Sequence, residues 1–329
     1  MSDITIRPYE HGDEHGINRS FNRIFNQNRS IEEWRWKFGP GGDASCIMIG
    51  VDPRKEVVSQ WAEVMVNMWI DGRNIEAAQA VDGFCLDRPE FERRATFVQT
   101  VHKSYKKYHG PSKKIPFFYG SAGPRLFTVG KLSLGLKGFV SIDYYSKGTS
   151  RLIRPLSMIA GNSVWDAIAP ETKASLRDID SLWESSKGRY GVTLVKNGEY
   201  FNRRYITHPL NKYMIISTYE NNNLEGLLVL SYGARVVKLL DLLWDGRAKE
   251  AVSYLLDKAW SVTRKTGAVK LEMWLNNDEE LAQILKSHGM EKNESPYTLK
   301  LISRSFDDCL DAEDIAQRFS MTMGDTDMF

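Results

Sequence analysis

The segment from Ala77 to Phe97 constrains the fold of this 329-residue chain more than any other part of its sequence. A mostly apolar run extends from Ala77 to Leu86 and meets the turn Asp87-Arg88-Pro89. A segment with helical character, Arg93 to Tyr108, follows at once. A strand that leads directly into a helix N-terminus presents unpaired backbone N–H groups, and such groups bind anions. The sequence therefore predicts a strand, a turn and a helix with an anion-binding position at the turn.

Secondary-structure signals on both sides of this segment occur twice in a similar order. Ser30-Ile31-Glu32-Glu33 has the capping-box pattern of a helix start, and Asp71-Gly72 is typical of a hairpin turn. Apolar periodicity predicts, in the first half, a strand at 4–7, helices at 13–26 and from 30, and strands at 45–51, 57–69, 74–86 and 115–120. In the second half it predicts strands at 212–219, 225–232, 236–243, 269–275 and 297–302, with helices at 248–266 and 281–288.

Several short motifs in the sequence resemble those of the GNAT superfamily of N-acetyltransferases. Residues 77–97 resemble the central strand, pyrophosphate loop and helix of that superfamily, and Leu134-Gly135-Leu136-Lys137 resembles bacterial GNAT sequences. The run from Glu199 to Pro209 and the ending Gly324-Asp325-Thr326-Asp327 resemble tandem GNAT-like proteins. The resemblance implies an α/β (α+β) fold with two GNAT-like domains. Each would be a mixed, mostly antiparallel sheet flanked by helices.

The resemblance also implies a domain organisation. We expect an N-terminal GNAT-like acyltransferase domain at 1–148, a helical connector at 149–188, a C-terminal GNAT-like domain at 189–304 and a tail at 305–329. The tail has two interpretations. It is either a disordered acidic end or a segment that packs in a cleft, as its apolar residues Met321, Met323, Met328 and Phe329 favour.

GNAT enzymes transfer an acyl group from CoA to an amine, and the resemblance places their functional positions on this sequence. The splayed strand that holds the thioester corresponds to Val81 to Leu86, and the pyrophosphate loop corresponds to 92–96. The implied co-substrate is acetyl-CoA or another acyl-CoA, and the residues implied to bind it are Phe84, Cys85, Leu86, Arg93, Arg94, Ala95 and Thr96. The implied catalytic residues are Asp82 and Glu63, as bases on adjacent strands, and Tyr119, as an acid.

Each catalytic candidate also has a structural interpretation. A carboxylate near the centre of a sheet is costly to bury unpaired, so Asp82 or Glu63 needs either a cation or a catalytic role. A salt bridge to Arg73 or Arg125 is the structural alternative. Tyr119 is alternatively an aromatic of the core at a strand end, and Cys85 is alternatively a small buried thiol.

The expected pyrophosphate loop departs from the superfamily pattern. Glu92-Arg93-Arg94-Ala95 stands where Arg-Gly-Arg-Gly is expected, and without glycine the backbone approaches a phosphate less closely. Glu92 adds a negative charge, for which Arg93 and Arg94 are the compensating phosphate partners. The run Leu242 to Arg247 in the second half has one glycine and no Gly-x-Gly. We therefore expect CoA to bind weakly, or only in the N-terminal domain.

Composition excludes several other classes of protein. Charged residues make up 26% of the chain and the net charge is +2, which does not indicate nucleic-acid binding. The three cysteines form no Cys-x-x-Cys, so we expect neither a disulfide framework nor a metal site. The N-terminus lacks the pattern of a signal peptide, and no window approaches the length of a membrane span. We therefore expect a cytoplasmic protein with no membrane partner.

These observations leave three hypotheses for the function. The first is an acyl-CoA-dependent N-acyltransferase with one working site, in the N-terminal half, that acts on an amine of a small molecule, sugar or nucleotide. The second is a non-catalytic tandem GNAT-like binding or scaffold protein. The third is a Fem-like aminoacyl transferase that uses aminoacyl-tRNA, or an acyltransferase that modifies a base amine of a nucleic acid. Nucleic acid as a partner is permitted by the lysines Lys103, Lys106, Lys107, Lys113 and Lys114 but not required by them. The oligomeric state is left open.

Overall fold

The computed structural model of the chain describes residues 4–40, 42, 45–110, 115–149, 174–233 and 235–328. The described residues divide into two compact units. The first unit is drawn from Met1–Met68, Ile75–Ser141 and Thr298–Gln317, and the second from Trp69–Asn74, Ile142–Tyr297 and Arg318–Phe329. Most of the expected connector, together with Lys113, Lys114 and Phe329, lies outside the described residues.

The helices and strands follow one another along the chain in the order expected of a mixed α/β protein. Up to residue 148 they are β1 (Thr5–Pro8), α1 (Asp13–Phe25), α2 (Ile31–Phe38), β2 (Ser45–Val51), β3 (Val57–Ile70), β4 (Arg73–Cys85), α3 (Arg93–Tyr108), β5 (Phe117–Ala122), α4 (Pro124–Ser133), β6 (Lys137–Ser141) and β7 (Tyr144–Gly148). From residue 176 they are α5 (Leu176–Ser186), β8 (Val192–Leu194), α6 (Gly198–Phe201), β9 (Met214–Glu220), β10 (Asn223–Gly233), β11 (Val236–Trp244), α7 (Lys249–Lys265), β12 (Lys270–Trp274), α8 (Glu279–Ser287), β13 (Glu291–Asn293), β14 (Lys300–Ser305) and α9 (Ala312–Arg318).

The two sheets share a strand order. In the first unit the order is β1-β2-β3-β4-β5-β14-β6, and in the second it is β13-β7-β12-β11-β10-β9. Each sheet has one parallel pair, β4 with β5 and β11 with β12, and its other recorded pairs are antiparallel. The mixed, mostly antiparallel architecture predicted from the sequence is therefore confirmed.

Two strands pair in a different sheet from the strand that precedes them in sequence. β7 follows β6 after two residues, yet it pairs with β12 and β13 of the second sheet. β14 comes after β13, yet it pairs with β5 and β6 of the first sheet. The units therefore do not coincide with a division of the chain at 148 and 189. The physical reason is that each parallel pair leaves an open edge, on β5 or β12, and a strand from a distant part of the chain satisfies the backbone groups of that edge.

Local sequence patterns correctly predicted the positions of several helices and strands. The predicted capping box forms at α2, where the N–H of Glu33 donates to Ser30 Oγ (3.1 Å) and the N–H of Ser30 donates to Glu33 Oε2 (2.7 Å). α3 spans Arg93–Tyr108, as predicted. The division into β6 and β7 and the short helix α9 within the expected tail were not predicted.

Each unit has its own apolar core. In the first unit, Trp34 and Phe38 of α2 pack with Ile47 and Ile49 of β2 on one side of the sheet. In the second unit, Leu255 and Ala259 of α7 pack on the strands of the second sheet. Within the described part of the chain, no helix has the length and hydropathy needed to cross a membrane.

Candidate functional site

The parallel pair of the first unit ends partway along its strands. β4 and β5 pair through Ala78 with Phe118, Gln79 with Tyr119 and Ala80 with Gly120. β4 then continues to Cys85 without that partner. We call this place the β4–β5 divergence, and it comprises residues 81–85 of β4 and 121–122 of β5. Gly83 is exposed there, and the exposed surface of Asp82 comes from its main chain because its side chain is 3% exposed. The main chain at Asp82 and Gly83 is therefore accessible beyond the last parallel pair, and the Asp82 carbonyl accepts from Gln60 Nε2 at 3.0 Å.

The side chains expected to bind a cofactor on this strand lie in the core. Phe84, Cys85 and Leu86 are each no more than 4% exposed. Burial raises the pKa of the Cys85 thiol to about 11, so Cys85 is a protonated thiol at neutral pH. No group of three or more His, Cys, Asp or Glu side chains in the described ranges is arranged to hold a metal ion. Within residues 81–86 the accessible surface therefore comes from Asp82 and Gly83.

The start of α3 is capped by the chain itself. Glu92 is the N-cap residue, and its Oε2 accepts from the N–H of Ala95 at 3.0 Å. Thr96 is buried, and its hydroxyl donates to the carbonyl of Glu92 (3.0 Å). Arg93 lies 3.5 Å from Asp87, and Arg94 donates to Ser133 Oγ at 3.3 Å. A carboxylate therefore occupies a helix N-terminus that the resemblance assigned to a pyrophosphate.

Asp82 is held between two cations from the region of α1 and α2. Its carboxylate pairs with Arg29 at one oxygen and with Lys37 Nζ at the other, the latter at 2.7 Å. Burial by itself raises the pKa of this carboxyl, but Lys37 and Arg29 outweigh burial and lower the pKa below its usual value. The residue has a left-handed backbone, with φ of +49°. The cations that neutralise it are thus not Arg73 and Arg125, which the sequence suggested.

Glu63 lies on β3 and is fully buried. Its Oε1 accepts from Trp61 Nε1 and its Oε2 lies 2.7 Å from His109 Nε2. The His109 ring stacks on Phe306 at 4.4 Å between centroids. Tyr119 is 1% exposed on β5. The fold thus brings Asp82 close to the divergence but encloses Glu63 and Tyr119 in the core. His109, the partner of Glu63, gave no signal in the sequence that distinguished it from a surface histidine.

The second unit has a carboxylate in the matching place. The last parallel pair of β11 and β12 is Leu239 with Met273, and Asp241 lies two residues further, as Asp82 lies two residues beyond Ala80. Asp241 is fully buried and pairs with Lys196 Nζ. Three hydroxyl groups also donate to Asp241, from Tyr200, Tyr205 and Thr322. Burial raises the pKa of this carboxyl, but Lys196 more than compensates and lowers it.

Residues 319–326, which we call the C-terminal segment, lie against this carboxylate. The N–H of Ser320 donates to the carbonyl of Val192 on β8 (2.8 Å), and the carbonyl of Met321 accepts from the N–H of Asn276, two residues beyond β12 (3.3 Å). Asp325 lies 3.0 Å from Lys196. Phe319, Met321 and Met323 are fully buried. The segment therefore occupies the space beyond the parallel pair of the second sheet, as the packed interpretation of the tail predicted.

The run Leu242 to Arg247, which ends β11 and leads to α7, contains Gly246 as its one glycine, as the sequence showed. Gly246 has φ of +84°, and no side chain caps the amides of α7. Asp245 Oδ1 instead accepts from the N–H of Arg247 just before the helix (2.8 Å). The turn before α7 is therefore held by Asp245, which accepts from the N–H groups of Arg247 and Ala248.

Comparisons with known proteins show similarity in structure. No protein-family model and no curated protein matches this sequence. A probable N-acyltransferase of unknown function from Enterococcus faecalis V583 superposes with a TM-score of 0.64 at 10% identity, over 93% of this chain and 73% of that protein. A GCN5-related N-acetyltransferase from Kribbella flavida has a TM-score of 0.59 at 14% identity, over 92% and 71%.

A eukaryotic enzyme shows the same likeness. The N-myristoyltransferase of Saccharomyces cerevisiae, in a structure with bound myristoyl-CoA, superposes with a TM-score of 0.58 at 11% identity. The match covers 97% of this chain and 88% of the yeast enzyme. The expected fold is therefore confirmed: this chain has the mixed α/β fold of the GNAT-type acyltransferases.

Proposed function

We propose that this protein is an acyl-CoA-dependent N-acyltransferase that binds its donor at the β4–β5 divergence of the first unit. The observation that carries this proposal is the exposed main chain at Asp82 and Gly83, beyond the last parallel pair. The structural neighbours are consistent with it, since one of them is an acyltransferase with bound myristoyl-CoA. The C-terminal segment occupies the matching space in the second unit, so one donor site per chain is expected.

The acyl group and the pyrophosphate would meet different parts of this site. A main-chain N–H of the divergence would hydrogen-bond the thioester carbonyl and stabilise the oxyanion that develops on it. Arg93 and Arg94 would pair with the pyrophosphate once the Glu92 side chain rotates away from Ala95. Loss of an N-cap typically costs about 1 kcal/mol, so donor binding would be weakened roughly fivefold by this rearrangement.

Asp82 and Glu63 take a supporting role in this proposal. Asp82 is already neutralised by Arg29 and Lys37, and its lowered pKa makes it a poor proton acceptor. Glu63 is enclosed with Trp61 and His109. We assign Asp82 to holding β4 to the region of α1 and α2, and Glu63 to holding β3 to the end of α3. The proton of the amine passes to solvent water.

Titration with acetyl-CoA and with longer acyl-CoAs tests the donor site. Arg93→Gln and Arg94→Gln should each raise the Kd for the donor about tenfold, because each removes a charge-assisted hydrogen bond to phosphate. Arg247→Gln is the matched control, since Arg247 is an exposed arginine before the corresponding helix of the second unit. Tight binding that survives both Arg93 and Arg94 variants but is lost in Arg247→Gln would place the donor in the second unit and reject the proposal.

A second candidate is a non-catalytic binding or scaffold protein with the same fold. It is favoured by the capping of α3 by Glu92 and by the neutralised state of Asp82. Release of free CoA, measured with amino sugars, nucleotides, other small amines and tRNA as acceptors, separates the two. Donor binding without acyl transfer to any acceptor would support the scaffold. Transfer that depends on tRNA would instead support the nucleic-acid alternative.

A further inference from the structure

The two faces of β4 at the β4–β5 divergence differ in chemistry. On the face covered by α1 and α2, the Asp82 carboxylate pairs with Arg29 and Lys37. On the face covered by α3, Gly83 carries no side chain and is exposed. An apolar group is stabilised by contact with apolar surface and gains nothing from contact with paired charges. An acyl group held at this main chain would therefore lie on the α3 face.

Two aromatic side chains close the α3 face beside Gly83. A Cβ placed on Gly83 would lie 3.3 Å from Cε3 of Trp61 and 3.7 Å from Cζ of Phe97. Both distances are those of atoms in van der Waals contact. Trp61, on β3, is 2% exposed, and Phe97, on α3, is half-buried. The indole ring of Trp61 therefore fills the space that a longer chain would need beyond Gly83.

The indole ring of Trp61 is fixed on several sides. It makes edge-to-face contacts with Phe97, Tyr105 and Phe118, at 5.8–6.4 Å between ring centroids. Its Nε1 donates to Glu63 Oε1 at 2.7 Å, and Glu63 is fully buried. A ring held by close packing and by a buried hydrogen bond does not swing aside to admit a larger ligand.

The carboxylate that holds Trp61 is itself held by a further residue. Glu63 Oε2 lies 2.7 Å from Nε2 of His109, which is 4% exposed at the end of α3. A buried carboxylate is costly unless its oxygens are paired, and here one oxygen faces the indole and the other faces the imidazole. Glu63 therefore links the orientation of the Trp61 ring to the end of α3.

We propose that Trp61 limits the length of the acyl group that the donor site accepts, and that Glu63 is the residue that positions its ring. This inference rests on the proposed function, because it concerns the acyl group of the same donor. Acetyl and propionyl groups would fit over Gly83. Longer chains would collide with Trp61 and Phe97, since neither ring leaves space behind it.

Calorimetric titration of the full chain with acetyl-CoA, propionyl-CoA and octanoyl-CoA tests this limit. Octanoyl-CoA should bind about tenfold more weakly than acetyl-CoA, because its chain overfills the space beyond Gly83. Phe97→Ala and Trp61→Phe remove the ring atoms nearest Gly83, so each should reduce this ratio of Kd values to about threefold or less. Val98→Ala is the control, since Val98 is a half-buried residue of the same helix and core, and the ratio should stay unchanged.

The positioning role of Glu63 has a separate test. Glu63→Met removes the acceptor for Trp61 Nε1 and should reduce the ratio of Kd values, because the ring can then move. Glu63→Gln keeps an oxygen that accepts from Nε1 and should restore the ratio. If Glu63 were merely structural, both variants would lose stability and neither would change the ratio.

The outcomes separate this inference from the proposed function. Equal affinity for octanoyl-CoA and acetyl-CoA, or a ratio that Phe97→Ala leaves at its native value, would overturn the inference alone if Arg93→Gln still weakens acetyl-CoA binding. Absence of binding of every acyl-CoA would overturn both. Circular dichroism shows whether Trp61→Phe folds, and if it does not, the comparison of Phe97→Ala with Val98→Ala decides.

Discussion

Asp82 and Asp241 stand at matching positions in two similarly ordered sheets, but their surroundings differ. Asp82 lies beside exposed main chain and is neutralised by two cations of side-chain exposure 9% and 14%. Asp241 is fully buried, and the chain's own C-terminal segment covers it. The comparison shows that the same strand order leaves the main chain at Asp82 and Gly83 exposed in the first unit, whereas the C-terminal segment packs against the matching carboxylate in the second.

The negative charges of Asp82 and Asp241 are also neutralised by different sets of cations. Asp82 pairs with two cations, Arg29 and Lys37, whereas Asp241 and a second buried carboxylate, Asp325, both pair with Lys196. Burial raises the pKa of Asp325, and the adjacent Asp241 also raises it. Lys196 lowers the pKa of Asp241 more than any other cation does, and the buried Arg204 also interacts electrostatically with Asp241.

Removal of Lys196 should have the largest effect. Lys196→Met removes the cation that pairs with both Asp241 and Asp325, and breaking a buried ion pair typically costs about 3–5 kcal/mol. Urea unfolding measures the loss. The control is Lys249→Met, because Lys249 is 59% exposed and its pair with Glu280 should be worth less than about 1 kcal/mol. Equal losses in the two variants would show that the network does not hold the C-terminal segment.

A methyl group on Gly324 should displace the C-terminal segment. A Cβ at this position would collide with the hydroxyl of Tyr205 and the carboxylate of Asp241. We expect Gly324→Ala to cost about 2–3 kcal/mol, the upper part of the range for overpacking a core. Gly188→Ala is the control, since a Cβ there meets nothing within 4 Å. Thermal unfolding of both variants measures the difference, and a neutral Gly324→Ala would mean that the segment is not tightly seated.

Asp82→Asn should destabilise the first unit by about 2 kcal/mol at pH 7. The reason is that the variant loses the charge-assisted hydrogen bonds that Arg29 and Lys37 donate to the carboxylate. The pKa of Asp82 is lowered in the folded protein. Its stabilisation is therefore complete above the unfolded value of about 3.9 and is lost as the pH falls through the folded value.

The difference in stability between native protein and Asp82→Asn should accordingly shrink below about pH 4. Asp87→Asn, at a carboxylate that is 85% exposed, serves as the control and should change stability little. Loss of acyl transfer in Asp82→Asn with unchanged unfolding would contradict the supporting role and restore the catalytic one.

Of these variants, Glu92→Gln should lower the stability least. Unlike the others, it should also strengthen the binding of the acyl-CoA donor. Loss of the carboxylate cap costs about 1 kcal/mol or less. The affinity for acyl-CoA should rise about threefold to tenfold, because a negative charge leaves the N-terminus of α3. Glu90→Gln changes a neighbouring exposed carboxylate and is the control for net charge. An unchanged Kd for acyl-CoA would mean that the start of α3 is not part of the donor site.

Local patterns in the sequence were sufficient to predict most of the strands and helices. The strand, turn and helix at 77–108, the capping box at Ser30 and the hairpin of β3 and β4 all form near their predicted bounds. Each depends on residues within a few positions of one another, so periodicity and capping residues predict them. The resemblance to GNAT sequences added the fold class.

The surroundings of the candidate site depend instead on residues that are distant in sequence. Asp82 meets Arg29 across 53 positions, Glu63 meets His109 across 46, and Asp241 meets Thr322 across 81. Nothing in the pattern around a carboxylate shows which cation will neutralise it, so the sequence suggested Arg73 and Arg125. A prediction of the partner requires knowledge of how α1 and α2 pack beside β4.

The sequence by itself determined which segments become strands and helices, because those preferences arise from neighbours along the chain. The tertiary structure alone decided that β7 and β14 each pair in a different sheet from the strand before them, and that residues 319–326 fill the space beside Asp241. The edge of a sheet can pair with any strand of suitable geometry, and a buried charge can pair with any suitably placed opposite charge. The packing of the whole chain determines which strand and which charge lie there.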